Sequence, residues 1–187
     1  MVKFEGITPI LFSRMTEDDA AGIETGVKKP IVPGKDQRTE AEKRLWTKDG
    51  KPGIPFPMLF ACLTEAGRKV KKGRAAITGS RGTTLTSFLE LHGDFYPFEN
   101  DSAWEPDKRM VKQIVRGQSI ARPVVRPRFD KWSFTVEGKF DEKQVAEETV
   151  KQLFEEAGRT GLGAWRPSSP KPGPFGQFRV TGWEVKD

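Results

Sequence analysis

Between Lys131 and Phe140 the side chains Trp132, Phe134 and Val136 alternate with Ser133, Thr135 and Glu137. A period of two permits an extended strand with one buried and one solvated face. The next segment supplies what must cover that face. Asp141-Glu-Lys-Gln144 forms a capping-box-like start, with Asp141 accepting from backbone donors and Gln144 reaching back. Ala146, Val150, Leu153, Phe154 and Ala157 then recur at helical period as one apolar stripe. A one-faced strand and a one-faced helix bury their apolar surfaces against each other.

The first half repeats this grammar. Val2 to Phe12 carries Val2, Phe4, Ile7, Ile10 and Leu11 around a break at Gly6 and reads as a first strand. Pro55 and Pro57 open a helical pattern in which Leu59, Leu63, Ala66 and Val70 share a face, and Lys69, Lys71 and Lys72 lie near its C-terminus before Gly73 ends it. Thr83 to Phe98 predicts a second strand with an irregularity at His92-Gly93, and Gln177 to Val185 a last one. The resulting order, strand, helix, strand, strand, helix, strand, predicts an α+β fold of the ferredoxin-like βαββαβ type: an antiparallel sheet with two helices on one face.

Two segments fall outside that order. Residues 13–53 are rich in acids, lysines, Gly and Pro, with a short helix expected at Thr39 to Leu45 and Trp46 as the large anchor. Residues 100–128 read as an extended hairpin or arm. At 187 residues the chain is expected to be one domain, 1–187, carrying both as insertions. No apolar run approaches a bilayer span, and Met1-Val-Lys-Phe-Glu-Gly6 lacks signal-peptide order, so a cytoplasmic protein without membrane association is expected. A lone Cys62 excludes an intrachain disulfide, and with a lone His92 leaves too few soft ligands for structural zinc. No metal or cofactor is expected.

Charge is segregated. From Lys108 to Arg128 the chain holds Lys108, Arg109, Lys112, Arg116, Arg122, Arg126 and Arg128 and no acid. Arg68 to Arg74 is a second basic cluster, with Lys69, Lys71, Lys72 and Arg74, followed by Arg81. Acids gather in Glu17-Asp18-Asp19 and along Asp141 to Glu156. Such a face suits phosphates, whose neutralisation releases counterions whatever the sequence; a solvated basic loop is the alternative.

Arg159-Thr-Gly-Leu-Gly-Ala-Trp-Arg-Pro-Ser-Ser-Pro-Lys-Pro-Gly-Pro-Phe-Gly-Gln-Phe-Arg-Val180 is the most specific stretch. Gly161 and Gly163 permit positive φ, and Arg166 and Lys171 supply charge, so backbone donors between cations would seat a phosphodiester. The spacing matches neither a Walker loop nor a dinucleotide fingerprint. This stretch resembles the glycine-rich loop of the RAMP superfamily, the ferredoxin-like RNA-binding proteins of CRISPR effector complexes. Asp49-Gly-Lys-Pro-Gly-Ile-Pro-Phe-Pro-Met-Leu-Phe-Ala-Cys-Leu-Thr-Glu-Ala-Gly67 is similar to the proline-led start of the first helix in its backbone-subunit branch. The chain departs from that pattern at Phe56, Pro57 and Met58 and in the prolines Pro167, Pro170, Pro172 and Pro174. It looks most like the small stand-alone members from phages and mobile elements. The resemblance implies a nucleic-acid-binding scaffold for RNA or single-stranded DNA, with copies assembling side by side along the strand.

Some members of that superfamily cleave RNA with a histidine or a loop acid. His92 stands in Leu91-His-Gly93, and Asp18, Asp19, Asp36 and Asp49 sit in no matching motif. Ser80 and Ser87 lack a His-acid constellation, and Cys62 reads as a buried small apolar residue. No catalytic residue is expected. Trp46, Trp104 and Trp165 beside charged residues are the stacking candidates, Trp165 with Arg166 foremost. The expected function is non-catalytic, largely sequence-independent binding of single-stranded nucleic acid. The alternatives are a small endoribonuclease and a protein-interaction module using the basic arm.

Overall fold

Strand β1 (Val2–Gly6) runs through the centre of the structure, a computed structural model that describes residues 1–25, 36–99, 103–115 and 118–186. It pairs antiparallel with β13 (Ser133–Val136) on one side and β15 (Phe178–Trp183) on the other. The alternation around Trp132 is therefore real, and Trp132, Phe134 and Val136 are all buried. Phe4 is fully enclosed, its ring centroid 4.9 Å from Phe134, 5.6 Å from Phe154 and 5.3 Å from Phe178. The break at Gly6 makes room for Trp132: a Cβ there would lie 2.3 Å from the indole Nε1, which itself donates to the Thr8 carbonyl at 2.9 Å.

β13 is continued past Glu137 by β14 (Gly138–Phe140), which pairs antiparallel with β9 (Leu89–Leu91). The His92 amide donates to the Glu137 carbonyl at 2.8 Å and the Glu99 amide to the Ser133 carbonyl at 3.0 Å. Residues 89–99 thus flank β13 and β14 on the side away from β1, interrupted at His92-Gly93 where Gly93 takes φ 85°. After the break, β10 (Phe95–Pro97) turns to pair with β4 (Lys51–Pro55), which also meets the short β3 (Thr47–Lys48).

Two helices carry apolar faces inward. Helix α3 (Phe56–Ala66) buries Leu59, Cys62, Leu63 and Ala66; α4 (Glu147–Thr160) buries Val150, Leu153, Phe154 and Ala157. A Cβ at Gly158 would sit 2.2 Å from the Phe178 carbonyl, so glycine lets α4 approach β15 closely. The Cys62 thiol, between the helices, donates to the Ala157 and Gly161 carbonyls at 3.3 Å each.

Several elements differ from expectation. α3 ends at Ala66 rather than running to Gly73. The Ile77 amide returns to the Val70 carbonyl, and Lys71 and Lys72 form β5 (Lys71–Lys72), paired with β6 (Ala75–Ala76). A second small hairpin, β7 (Thr78–Gly79) with β8 (Gly82–Thr83), follows, so the predicted strand at Thr83 is broken before β9 by a single turn at Leu85–Ser87. Asp141 accepts from the Lys143 amide at 3.0 Å as expected, but Gln144 Nε2 donates to the Asp141 carboxylate at 3.0 Å while the Asp141 amide goes to the Phe88 carbonyl, and this turn is separate from the helix: α4 starts at Glu147 with exposed Ala146 as its N-cap.

In residues 13–53, α1 (Glu17–Thr25) and α2 (Gln37–Glu42) are helical; Asp36 caps α2 by accepting from the Thr39 amide at 3.0 Å. Between β10 and β13, β11 (Trp104–Val115) and β12 (Gln118–Phe129) pair antiparallel from Trp104↔Phe129 to Val115↔Gln118, the expected hairpin. β2 (Ile10–Leu11) adds to β12 at Arg128 and Phe129. The result is an α+β architecture of small antiparallel sheets and helices, and among the described residues no helix is long and apolar enough to cross a membrane.

Because Phe4 touches three other aromatic rings, Phe4→Ala should lower unfolding free energy by about 3–5 kcal/mol and Phe4→Leu by less than about 1.5 kcal/mol in chemical denaturation. Equal, small losses would contradict Phe4 as the centre of the core.

Candidate nucleic-acid interface

Helix α4 ends at Gly161, whose φ of 82° no L side chain adopts readily, and the chain enters the glycine-rich loop. Gly163 (φ 75°) passes so near β2 that a Cβ would lie 2.5 Å from the Leu11 carbonyl, which accepts the Ala164 amide at 2.8 Å. Gly176 is tighter still, its would-be Cβ 1.8 Å from the Leu162 carbonyl. The amides of Gly161, Leu162, Ala164, Ser168, Ser169, Phe175 and Gly176 all donate within the protein. The expected seat of backbone donors is thus largely committed to the fold, and side chains carry any contact to a ligand.

Arg166 is likewise engaged. Its Nη1 donates to the Gly163 carbonyl and its Nε to the Ser168 hydroxyl, both at 3.0 Å, which holds the loop's curve. Arg166, Cys62, Met58, Trp46 and Gly161 to Ala164 line a cavity of about 350 Å³. Burial pushes the Cys62 thiol up to about 12, against the pull of the Arg166 charge.

Trp165 follows at φ 52°, unusual for a bulky residue. Its ring lies 4.5 Å from the Arg126 guanidinium carbon and 5.4 Å from that of Arg109. Phe175 packs 6.4 Å from Trp165 and lies 4.7 Å from Arg109. The loop thereby covers the base of the basic hairpin, and Lys171 Nζ donates to the Lys112 carbonyl at 2.9 Å. Helix α2 also packs on the hairpin, where Arg38 lies 4.5 Å from the Trp104 ring.

Among the residues expected from sequence, Gly161, Gly163, Trp165, Arg166, Lys171, Lys112, Arg126 and Arg128 come together here. Arg122 stands in β12 opposite Val111, and Arg116 lies outside the described residues. The second basic cluster is elsewhere. Lys71, Lys72, Arg74 and Arg81 belong to the two small hairpins beyond the C-terminal end of α3, whereas the glycine-rich loop meets α3 near Met58, Ala61 and Cys62. Lys72 lies 4.8 Å from the Phe88 ring, and Lys69 is tied to Glu156 at 2.7 Å. Arg109, read from sequence only as one member of the basic run, completes the interface together with Asp107 and Phe175. The signal was available in the alternation of Asp107 and Arg109 along one face of a strand.

No family model matches the sequence, and no curated protein matches it. Among solved structures the chain is similar to one in the cryo-EM structure of the Type III-B Cmr-beta bound to cognate target RNA. The identity is 12% and the TM-score 0.47, over 97% of this chain; the chain spans 59% of the length of that one.

Two outcomes follow from this geometry. Gly163→Ala should lower the melting temperature, because the new Cβ meets the Leu11 carbonyl at a positive φ; an unchanged melting temperature would refute that close approach. Burial opposes charging of Glu156, but hydrogen bonds and charge from Lys69 and Arg159 outweigh it and hold its pKa below the ordinary value of 4.5. The folded value is depressed, so this stabilisation is present above the ordinary value and is lost as pH falls through the folded one. Glu156→Gln should therefore flatten the acid limb of the stability profile, and an unaltered limb would exclude the pairing.

Proposed function

We propose that the chain is a non-catalytic protein of RAMP type that binds single-stranded nucleic acid, RNA or DNA, largely without regard to sequence. The observation that carries this reading is the acid-free hairpin between Lys108 and Arg128, whose base meets the glycine-rich loop at Trp165, Arg109 and Arg126. Single strands are held by cations on phosphates and by flat groups beneath bases, and this interface offers both. The β15, β1, β13 order, with residues 89–99 outside β13 and β14, supports a ferredoxin-like βαββαβ core with the hairpin inserted between its second and third strands.

Two of the four loop acids, Asp19 and Asp36, are tied into the fold, which supports a binding role over cleavage. Asp19 pairs with Arg44 at 3.1 Å, and Asp36 caps α2. His92 lines a groove of about 690 Å³ with Met1, Val136 and Trp183, distinct from the cavity that holds Arg166. Copies would line up along a strand, each covering a few phosphates. A protein-docking role for the basic arm would predict no affinity for oligonucleotides.

Gel shifts on RNA, single-stranded DNA and duplex of one sequence test the reading. Log affinity for the single strands should fall linearly with log salt, by about 0.7 per phosphate contacted. A flat response would exclude phosphate-led binding. His92→Ala should leave affinity unchanged, and RNA cleavage that this substitution abolishes would replace the binding role with an endoribonuclease.

A further inference from the structure

Directly opposed residues of an antiparallel pair share a face. The register Asp107↔Arg126, Glu105↔Arg128 and Arg109↔Val124 therefore sets Asp107, Arg109, Arg126 and Arg128 on one face of the hairpin. Asp107 is the buried member, its side chain 10% exposed against 39% for Arg109 and 37% for Arg128. Its two oxygens accept from Arg109 Nε at 2.6 Å and Nη2 at 2.8 Å, and Arg128 Nη1 lies 3.9 Å away.

The cations here outnumber their counter-charges. Arg44 is matched by Asp19 at 3.1 Å, Arg109 by Asp107, and Arg128 by Asp130 at 2.7 Å. Among the described residues no carboxylate comes within ion-pair distance of Arg126. Its Nε is buried without an acceptor, while its guanidinium lies against Trp165. Burial, with repulsion from Arg44 and Arg109 and against the pull of the Asp107 charge, lowers its pKa, so the charge is held at a cost that an arriving anion would relieve. Asp107 grips Nε and Nη2 of Arg109 and leaves Nη1, with the second Nη2 hydrogen, for that anion.

We propose that Arg109, Arg126 and Arg128 form a discrete seat for one phosphate of a bound single strand, with Asp107 fixing Arg109 from below and Trp165 bracing Arg126. The inference rests on the nucleic-acid reading and adds to it a defined subsite. A guanidinium fork meets a phosphate through two parallel donors, which an ammonium cannot copy. A diffuse basic surface would not distinguish the two.

The test is oligouridylate binding by the wild-type chain, Arg126→Lys and Arg126→Gln across a salt series. Arg126→Lys keeps the charge and should bind about tenfold more weakly at nearly unchanged salt slope. Arg126→Gln should lower the slope by about 0.7, one phosphate on a single strand. Matching melting temperatures of Arg126→Lys and the wild type separate a lost contact from a lost fold. Wild-type binding that both substitutions leave unchanged overturns the seat alone. Absence of any salt-dependent binding by the wild type overturns the seat and the functional reading together. Inorganic phosphate that raises the wild-type melting temperature but not that of Arg126→Gln, with oligouridylate affinity equal in all three, overturns the strand as the source and makes free phosphate the ligand. Poly-glutamate binding with the same dependence on Arg126 overturns the phosphate assignment in favour of an acidic polypeptide.

Discussion

Gly163 and Leu11 touch, and the interface is organised around that contact. The Leu11 carbonyl receives the Ala164 amide, while the same short strand pairs with β12 through Arg128 and Phe129. Two residues of β2 thus join the loop after α4 to the base of the hairpin. The amide of Gly176 on the Pro9 carbonyl adds a second stitch at 2.8 Å. Remove the close approach that glycine permits and Trp165 no longer has a fixed position over Arg126.

Cations that look alike in the sequence have different physical roles. Lys69 and Arg159 compensate a buried Glu156 between the helices, and Arg166 braces its own loop. Those charges hold the fold. Lys71, Arg74 and Arg81 are exposed on small hairpins, and Arg126 is half-buried against an indole with, among the described residues, no carboxylate within ion-pair distance. Arg14 near Trp46, Arg38 near Trp104 and Arg126 near Trp165 give each of the three stacking candidates a guanidinium within 5.5 Å. A base entering any of these sites meets a cationic plane as well as a ring.

Local periodicity was legible and long-range pairing was not. Trp132, Phe134 and Val136 announced β13, and Val150, Leu153, Phe154 and Ala157 announced α4, because one face of each is buried whatever its neighbours are. The extent of α3 was misread because Val70 is buried and falls on the helical repeat, yet it reaches the core from a returning chain that accepts the Ile77 amide. Two-residue strands such as β5 and β7 are too short to show alternation. The loop's glycines were recognisable, but the partner of Gly163 was not, since its contact with Leu11 spans nearly the whole chain. Asp107 escaped notice for a related reason: one residue before an acid-free run it looks like a boundary, and only pairing with β12 turns it inward.

The placement of Cys62 makes the protein its own opening gauge. The chain holds 1 cysteine, and its thiol is buried between α3 and α4, bonded to the carbonyls of Ala157 in the last turn of α4 and of Gly161 just past it, with its pKa pushed up to about 12. Reagents attack the thiolate, which this environment suppresses. Alkylation in the native state would therefore proceed through parting of the two helices, and its rate would measure how often the seam next to the glycine-rich loop separates. The one sulfhydryl thus offers a built-in clock for breathing at the root of the interface.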